Sequence, residues 1–376
     1  MKILKSSLQN QGLILKQKMG ALKMMLEKIR QKIDKIDLEI VKLLSQRAGL
    51  TLEIGKVKSK DKKPVFSPDR EKIVYQRIKK ANKGPLPNTT LEAIYREVMS
   101  GSLSLQNPPE IAYMGPEATF THIAALKKFG KSLKYVECDS ISDVFTEVER
   151  GRANYGVVPI ENSTEGAVNH TLDMLVDSDL KICSEVYLSI EHYLLSKTKK
   201  ISYITKVYSH QQVLAQCRIW LEKNLPCAKL IPVSSTTAAA WLYANKQGSA
   251  AIASKLAAEK YKLNMLARSI EDSTHNITRF LIIGKQEAEP TNNDKTSIVF
   301  SMKDKAGALH DVLVPFKKRN INLTKIESRP SKKKAWKYYF FVDMEGHIKD
   351  AKIAQALKEL QRHCNFYRLL GSYPAA

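Results

Sequence analysis

The sequence predicts a multidomain chain of three architectures: an all-α N-terminal region, a central α/β region and a C-terminal βαββαβ unit. Three observations lead there. One apolar stripe of helical period runs through residues 26–57. From residue 110 the pattern changes to strand segments that each lead into a helical one. The formal charge of +23 is also unevenly spread, with +13 in residues 1–100, +1 in 101–290 and +9 in 291–376. A length of 376 residues suits two or three domains, and 43% apolar residues can fill their cores.

Composition narrows the function classes. No run of 18 apolar residues occurs, so no membrane span is expected. The opening MKILKSSLQNQGLILKQKMGALKMM is basic, and its apolar run is too short and too lysine-broken for a signal peptide. It reads as a helical extension, or as sequence upstream of a start near Met24. Five cysteines, at 138, 183, 217, 227 and 364, form no C-x-x-C pair. That favours a reducing cytoplasm and no zinc site. The excess of cations invites a nucleic-acid reading, but lysines on solvated helix faces account for most of it.

In the first region Leu26, Ile29, Ile33, Ile36, Ile40 and Leu43 step by three and four, and Leu50, Ile54 and Val57 keep the frame. The spacing predicts one helix of about 30 residues, ended by Pro64 and Pro68. A helix this long with one apolar stripe needs partner helices, from its own chain or another. Helices over about 69–82 and 89–106 follow, and SLQNPP (104–109) is a linker. The domain is expected at 20–106.

The second region, expected at 110–285, alternates EIAYMG with a helix at 118–129, NYGVVPIENS with 167–176, and TKVYSH with 211–223. KLIPVSSTT leads into 237–246 and AAIAS into 254–260, and RFLIIG is a further strand. Repeated strand–helix units predict a largely parallel sheet. KQEAEPTNND (285–294) is a second linker. The third region, expected at 295–374, reads strand 296–302, helix 308–319, strand 321–328, strand 336–344, helix 350–362, strand 364–373. That order is the ferredoxin-like arrangement. Lys332-Lys333-Lys334 reads as an exposed loop.

The chemistry of the first region starts from Arg47. The three/four step of the stripe lands on it, and an unpaired charge in a helix seam is expensive. Either a carboxylate partner or an anionic ligand belongs there, unless the side chain snorkels to a rim. Lys58 shares its face three turns on, ~16 Å away at 1.5 Å per residue, which leaves room for one small molecule. Arg30 lies too far back to reach the same ligand within one chain, but reaches it from a second chain packed antiparallel.

IRQKIDKIDLEIVKLLSQRAGLTLEIGKVK (29–58), DRE (69–71) and SGSLSLQ (100–106) together resemble the helical chorismate mutase domain. The resemblance implies a long-helix, interlocked dimer in which each site takes one arginine from the neighbour. It implies chorismate-binding residues Arg30 (donated across the dimer), Arg47, Lys58, Ser67, Arg70, Glu71, Ser102 and Gln106, with Lys58 and Gln106 catalytic. Close relatives usually carry Asp where this chain has Ser67, which still hydrogen-bonds a substrate hydroxyl. Chorismate is a dicarboxylate, which guanidinium forks suit. Its rearrangement is intramolecular, so the task is to hold a near-attack geometry and stabilise charge on the ether oxygen.

In the second region Glu161-Asn162-Ser163-Thr164, Ser209-His210-Gln211 and Ser234-Ser235-Thr236-Thr237 each lead a strand into a helix. Each alone is an ordinary N-cap. Together they line the carboxyl edge of a sheet, where open α/β folds bind ligands and helix N-termini favour anions. His210 alone is weak evidence for acid–base chemistry. STHNITRF (273–280) places a hydroxyl and a cation at the mouth of a strand. This stretch, with GPEATFTH, VVPIENS, YSH and SSTTAAA, resembles prephenate dehydratase. The implied fold is two α/β lobes around a cleft, periplasmic-binding-like. The implied catalytic residue is Thr278, donating a proton to the departing ring hydroxyl as carbon dioxide leaves. Free threonine is far too weak an acid, so it acts as a positioned donor or relay. Asn162, Ser209, Gln216, Thr278 and Arg279 form the implied prephenate-binding set. Arg279 pairs with a carboxylate of substrate or of protein, and the residues leave that open.

By spacing alone Gly307-Ala308-Leu309 opens a helix and KIESRP (325–330) ends a strand. They resemble the ACT domain found on prephenate dehydratases, in which both segments form an inter-subunit phenylalanine site. That implies Gly307, Ala308, Leu309, Glu327, Ser328, Arg329 and Pro330 around the effector, with Glu327 and Arg329 near its charged ends. The family commonly has Val after Gly-Ala-Leu; here it is His310.

The expected function is therefore a bifunctional enzyme of phenylalanine biosynthesis. It would take chorismate to prephenate and prephenate to phenylpyruvate, under phenylalanine feedback. A homodimer or larger even homo-oligomer is expected, with no cofactor, nucleic-acid partner or membrane. The alternative is a ligand-responsive transcription regulator, which also joins a basic helical N-terminus to a two-lobed effector domain. Against it, no short helix-turn-helix precedes the long helix.

Overall fold

The structure, a computed structural model, describes residues 2–60, 66–273, 275–303, 305–331 and 337–376, with side chains from Met19 onward except those of Ala21 and Ser59. The expected loop at Lys332–Lys334 lies outside these residues. By internal contacts the chain forms two units, Met1–Lys63 and Pro64–Ala376.

The first unit is a single helix, α1 (Lys2–Lys60). At 59 residues it is about twice the expected length. Nothing in this span breaks it: there is no proline, and Gly20 and Gly49 each cost a helix interior only about 1 kcal/mol. Its apolar stripe is not covered by its own unit. Leu26, Ile29, Ile33, Ile36, Ile40 and Leu43 are each 44–56% exposed.

The second unit opens with α2 (Pro68–Ala81) and α3 (Asn88–Ser104). Pro68, expected to stop the preceding helix, instead starts this one, where its missing N–H is not needed. The first α/β lobe runs β1 (Glu110–Met114), α4 (Phe120–Phe129), β2 (Lys134–Cys138), α5 (Ile141–Glu149), β3 (Tyr155–Asn162), β4 (Gly166–Ala167), α6 (Asn169–Asp177) and β5 (Lys181–Ser189). The chain then crosses to the second lobe: β6 (Tyr193–Ser196), β7 (Lys206–Ser209), α7 (Gln211–Gln216), α8 (Arg218–Asn224), β8 (Lys229–Pro232), α9 (Thr236–Leu242), β9 (Ser249–Ala253), α10 (Lys255–Tyr261) and β10 (Asn264–Ala267). It crosses back as β11 (Ile277–Gly284).

The expected largely parallel sheet is corrected by this double crossing. The orders are β2-β1-β3-β11-β5 and β10-β6-β9-β7-β8. The strand that returns enters the first sheet antiparallel to both β3 and β5, and β6 runs antiparallel to β9 and β10. The helix expected at 211–223 is also broken, at buried Cys217. The Asp272 carboxylate accepts from the N–H groups of Ile219 (3.1 Å) and Trp220 (3.2 Å), giving α8 an N-terminus of its own.

The C-terminal module is β12 (Asp294–Met302), α11 (Ala308–Lys318), β13 (Leu323–Pro330), β14 (Tyr338–Glu345), α12 (Ala351–Gln361) and β15 (Cys364–Pro374), in the expected βαββαβ order. Its antiparallel sheet, β13-β14-β12-β15, packs one face on its own helices. The other face joins the first lobe: Val299, Phe341, Leu370 and Tyr373 share one core with Ile182 and Leu281. The approach is close enough that a Cβ at Gly371 would collide with the Ile182 carbonyl.

Candidate active site

Thr278 stands directly across from Asn162, where β11 pairs with the end of β3. The polarity of the hydrogen bonds around this pair is fixed from two sides. At one side, Asn162 Oδ1 accepts from the backbone N–H of Thr164 (3.0 Å) and of Glu165 (3.1 Å), so the turn after β3 is closed by its own side chain. A backbone N–H only donates, so the Asn162 nitrogen must face the other way. It donates to Asn276 Oδ1 and to Thr278 Oγ1, both at 2.7 Å. Thr278 therefore accepts from Asn162, and that contact leaves its own hydroxyl proton unused.

At the other side Gln216, from α7 of the second lobe, donates Nε2–H to Glu165 Oε1 at 3.0 Å. A carboxylate accepts only. Gln216 Oε1 must then take donors, and it faces His192 Nε2 (3.1 Å) and Asn276 Nδ2 (3.4 Å). His192 is 1% exposed, and burial pushes its imidazole pKa down to about 4 from 6.5, against the pull of the Gln216 bond. It is neutral near pH 7 with the proton on Nε2.

A cavity of about 580 Å³ lies between the lobes, walled by Thr119 and Asp139 from the first and by His210, Ser235 and Thr236 from the second; Thr278, Asn162, Asn276, Gln216 and His192 do not line it, though Phe120 of its wall packs on His192. Ser235 is the expected N-cap, its Oγ accepting from Ala238 N at 3.0 Å. His210 is exposed at the N-cap position of α7, with no side-chain capping bond.

Two expected substrate contacts are corrected. Ser209 is fully buried and donates its hydroxyl to the Ile252 carbonyl at 2.8 Å, stitching β7 to β9 instead of facing the cleft. Arg279 follows Thr278 on a strand, so it points to the opposite face. Its Nε donates to Glu185 (2.7 Å), its Nη1 to Asp343 (2.5 Å) and its Nη2 to Tyr373 Oη (2.9 Å). Lys295 adds a second cation, 2.8 Å from Glu185 Oε1. The alternative left open by the sequence thus falls to protein carboxylates, two of the partners belonging to the C-terminal module. Removing one member of a buried ion pair costs about 3–5 kcal/mol. Arg279→Met is expected to lower stability by ~3 kcal/mol on that basis, read as a fall in the urea unfolding midpoint.

In the helical region the structure places the expected residues as follows. On α1, Arg30 is exposed with Glu27 3.8 Å away, and Arg47 and Lys58 are half-buried. In the second unit Ser67 Oγ donates to Asp69 at 2.8 Å and Arg70 is exposed. Glu71 accepts from Lys128 of α4 at 2.5 Å, which ties α2 to the first lobe. Ser102 is buried and bonds the Val98 carbonyl at 2.7 Å. Gln106 gives Nε2 to Ser102 O at 3.3 Å, while its Oε1 is buried and has no partner among the described residues.

In the C-terminal module Gly307 holds a left-handed φ of 77° at the start of α11, which a side chain disfavours. Ala308 is half-buried beside exposed Leu309, and Ser328 and Pro330 are exposed on β13 next to half-buried Glu327. Arg329 is half-buried on the same strand. Its guanidinium grips Asp173 of α6 in a two-pronged contact, both bonds 2.8 Å. Four positions along the same strand, Lys325 lies 2.8 Å from Glu161 of β3.

The sequence reading missed His192, Asn276, Glu165, Glu185, Lys295 and Asp343. Asn276 had a signal: two residues before Thr278, it shares its face by the strand period. His192 had none, being a single histidine in SIEHYLL.

Two α/β lobes around a cleft, with a βαββαβ module seated on one lobe, define a class of protein that takes a small ligand between its lobes. Family models for prephenate dehydratase, chorismate mutase type II and the ACT domain match residues 111–288, 29–107 and 296–362. A bifunctional chorismate mutase/prephenate dehydratase from Aquifex aeolicus is 51% identical over 355 residues, covering 93% of this chain and 98% of that protein. One from Pseudomonas aeruginosa is 46% identical over 357 residues, again 93% and 98%. A crystal structure of prephenate dehydratase in complex with L-Phe, from Arthrobacter aurescens, matches with a TM-score of 0.65 and 35% identity, over 70% of this chain and 89% of that one. The chain belongs to the bifunctional chorismate mutase/prephenate dehydratase family. It is an enzyme of two activities, isomerase and lyase, and the transcription-regulator alternative is set aside.

Proposed function

We propose that the two reactions run in series on separate domains, at 20–106 and 110–285, under control of a third at 295–374. Chorismate is rearranged among Arg30, Arg47, Lys58, Ser67, Arg70, Ser102 and Gln106. The exposed stripe of α1 supports an interlocked second copy, which brings Arg30 to its partner's site, so the unit is a homodimer or a larger even oligomer. Glu71 takes part once it parts from Lys128. Prephenate then loses carbon dioxide and its ring hydroxyl. The observation that carries this step is the fixed polarity at Thr278: Asn162 donates to its oxygen, which leaves the hydroxyl proton to meet the departing oxygen. Aromatisation supplies the driving force, so a positioned weak donor is enough. Asn162 and Gln216 orient the substrate. Assaying each reaction separately, with chorismate and with added prephenate, tests the division.

Phenylalanine is the proposed effector, at Gly307–Leu309 and Glu327–Pro330. The complex of the Arthrobacter protein with L-Phe supports this. Arg329 holds Asp173, so the proposed effector segment and the first lobe share one side chain. Arg329→Ala and Asp173→Ala are both expected to shift the phenylalanine concentration for half-inhibition in the same direction, by about fivefold if the pair contributes ~1 kcal/mol. Opposite shifts, or none, would separate the pair from regulation. Among the described residues no helix is long and apolar enough to cross a membrane, and the proposed location is the cytoplasm.

A further inference from the structure

The two crossovers between the lobes carry two polar side chains with no role so far. His192 ends the first crossover, one residue before β6, and Asn276 ends the second, one residue before β11. They are 1% and 3% exposed. Both face the same atom, Gln216 Oε1, at 3.1 and 3.4 Å. Asn276 passes the connection on through Oδ1 to Asn162 Nδ2, and Asn162 bonds Thr278. A continuous line of side chains therefore runs His192–Gln216–Asn276–Asn162–Thr278 across the junction of the lobes.

The direction of every bond in that line is set by its ends. Gln216 cannot turn its amide over, because its nitrogen would lose the Glu165 carboxylate and meet the His192 N–H. Asn162 cannot turn over either, because its oxygen holds two backbone N–H groups. His192 is held in place by its backbone. Its N–H donates to Glu271 Oε2 at 2.8 Å and its carbonyl accepts from Ile270 N at 3.0 Å. The Phe120 ring packs edge-on against the imidazole, centroids 5.4 Å apart. His192 Nδ1 is buried with no hydrogen-bond partner among the described residues, so the ring offers one bond, to Gln216.

We infer that His192 and Asn276 are positioning residues for the dehydratase reaction, fixing Gln216 of the second lobe against Asn162 and Thr278 of the first so that the Thr278 proton points into the cleft. Neither touches the reacting atoms; each acts through an amide that does. The inference rests on the reading of Thr278 as the dehydratase centre. It adds that the junction between lobes is part of the machinery and not merely a connection. Protonating His192 would put a second N–H at Nδ1, where no acceptor lies among the described residues, which fits its neutrality.

The test uses the full chain with prephenate. His192→Phe keeps an aromatic ring against Phe120 but removes the N–H, whereas His192→Gln keeps a donor. His192→Phe is expected to lower dehydratase kcat at least about tenfold, with the chorismate mutase rate of the same preparation unchanged as a control for folding. His192→Gln is expected to recover most of the loss. Asn276→Ala is expected to fall in the same direction. The double variant should be at most about twofold worse than the poorer single one, because both act through Gln216. Wild-type kcat in His192→Phe, or equal loss in the Phe and Gln variants, overturns the role of His192. If His192→Phe does not fold, Asn276→Ala decides: wild-type kcat there overturns the inference. Thr278→Ala is measured alongside. An inactive Thr278→Ala with active junction variants sinks only the positioning role, whereas an active Thr278→Ala sinks both it and the reading beneath it.

Discussion

Thr278→Ala is expected to lose prephenate dehydratase activity by ~10²–10³-fold, the usual scale for removing one donor aimed at developing charge. Chorismate mutase activity in the same protein should be unchanged. The alanine leaves the β-sheet register intact, since Thr278 makes its ladder bonds through the backbone. It removes the one hydroxyl whose proton the Asn162 bond leaves available. Thr278→Ser keeps that hydroxyl and should retain far more activity, losing only what the methyl group contributes to holding the rotamer. Parallel progress curves on chorismate and on added prephenate measure both effects. Loss of both activities in a folded Thr278→Ala protein would mean that the two sites are not separate.

Arg47→Ala is expected to give the opposite pattern. Mutase kcat/KM should fall by ~10²–10³-fold, because a fork-shaped cation facing a carboxylate contributes several kcal/mol where water is excluded. Dehydratase activity on added prephenate should be unaffected. Arg47→Lys restores the charge but not the two-pronged geometry, and should recover only part of the rate. The absorbance change on adding chorismate reads the result directly. Full mutase activity in Arg47→Ala would remove the reading of that seam position as a substrate anchor.

Much of this architecture was legible because its signals are local. The period of the α1 stripe, the βαββαβ order and most strand–helix pairs follow from neighbours in sequence. What stayed hidden depends on long-range pairing. The antiparallel entry of β11 is set by two crossings between lobes, which no local pattern encodes. The split at Cys217 depends on Asp272, far along the chain. The site shows the same division. Thr278 and Asn162 stood out as hydroxyl and amide at strand ends. The strand period gives the face of Arg279, but the carboxylates that meet it there, Glu185 and Asp343, are distant in sequence. Ser209 looked like a cleft residue because it ends a strand, but the carbonyl of Ile252 lies within its reach.

The seating of the C-terminal module has a bearing on how such a chain is assembled over evolution. Fused enzymes are often pictured as beads that recombination swaps at linkers, and KQEAEPTNND has the composition of such a joint. Here the two sides of the joint have grown into each other. Any donor module would need a carboxylate where Asp343 stands, a phenol where Tyr373 stands and no side chain at Gly371, or it would leave Arg279 short of two of its three partners in a dry interior and press on the Ile182 carbonyl. Inheritance as a matched pair, not exchange piece by piece, is what such a junction selects for.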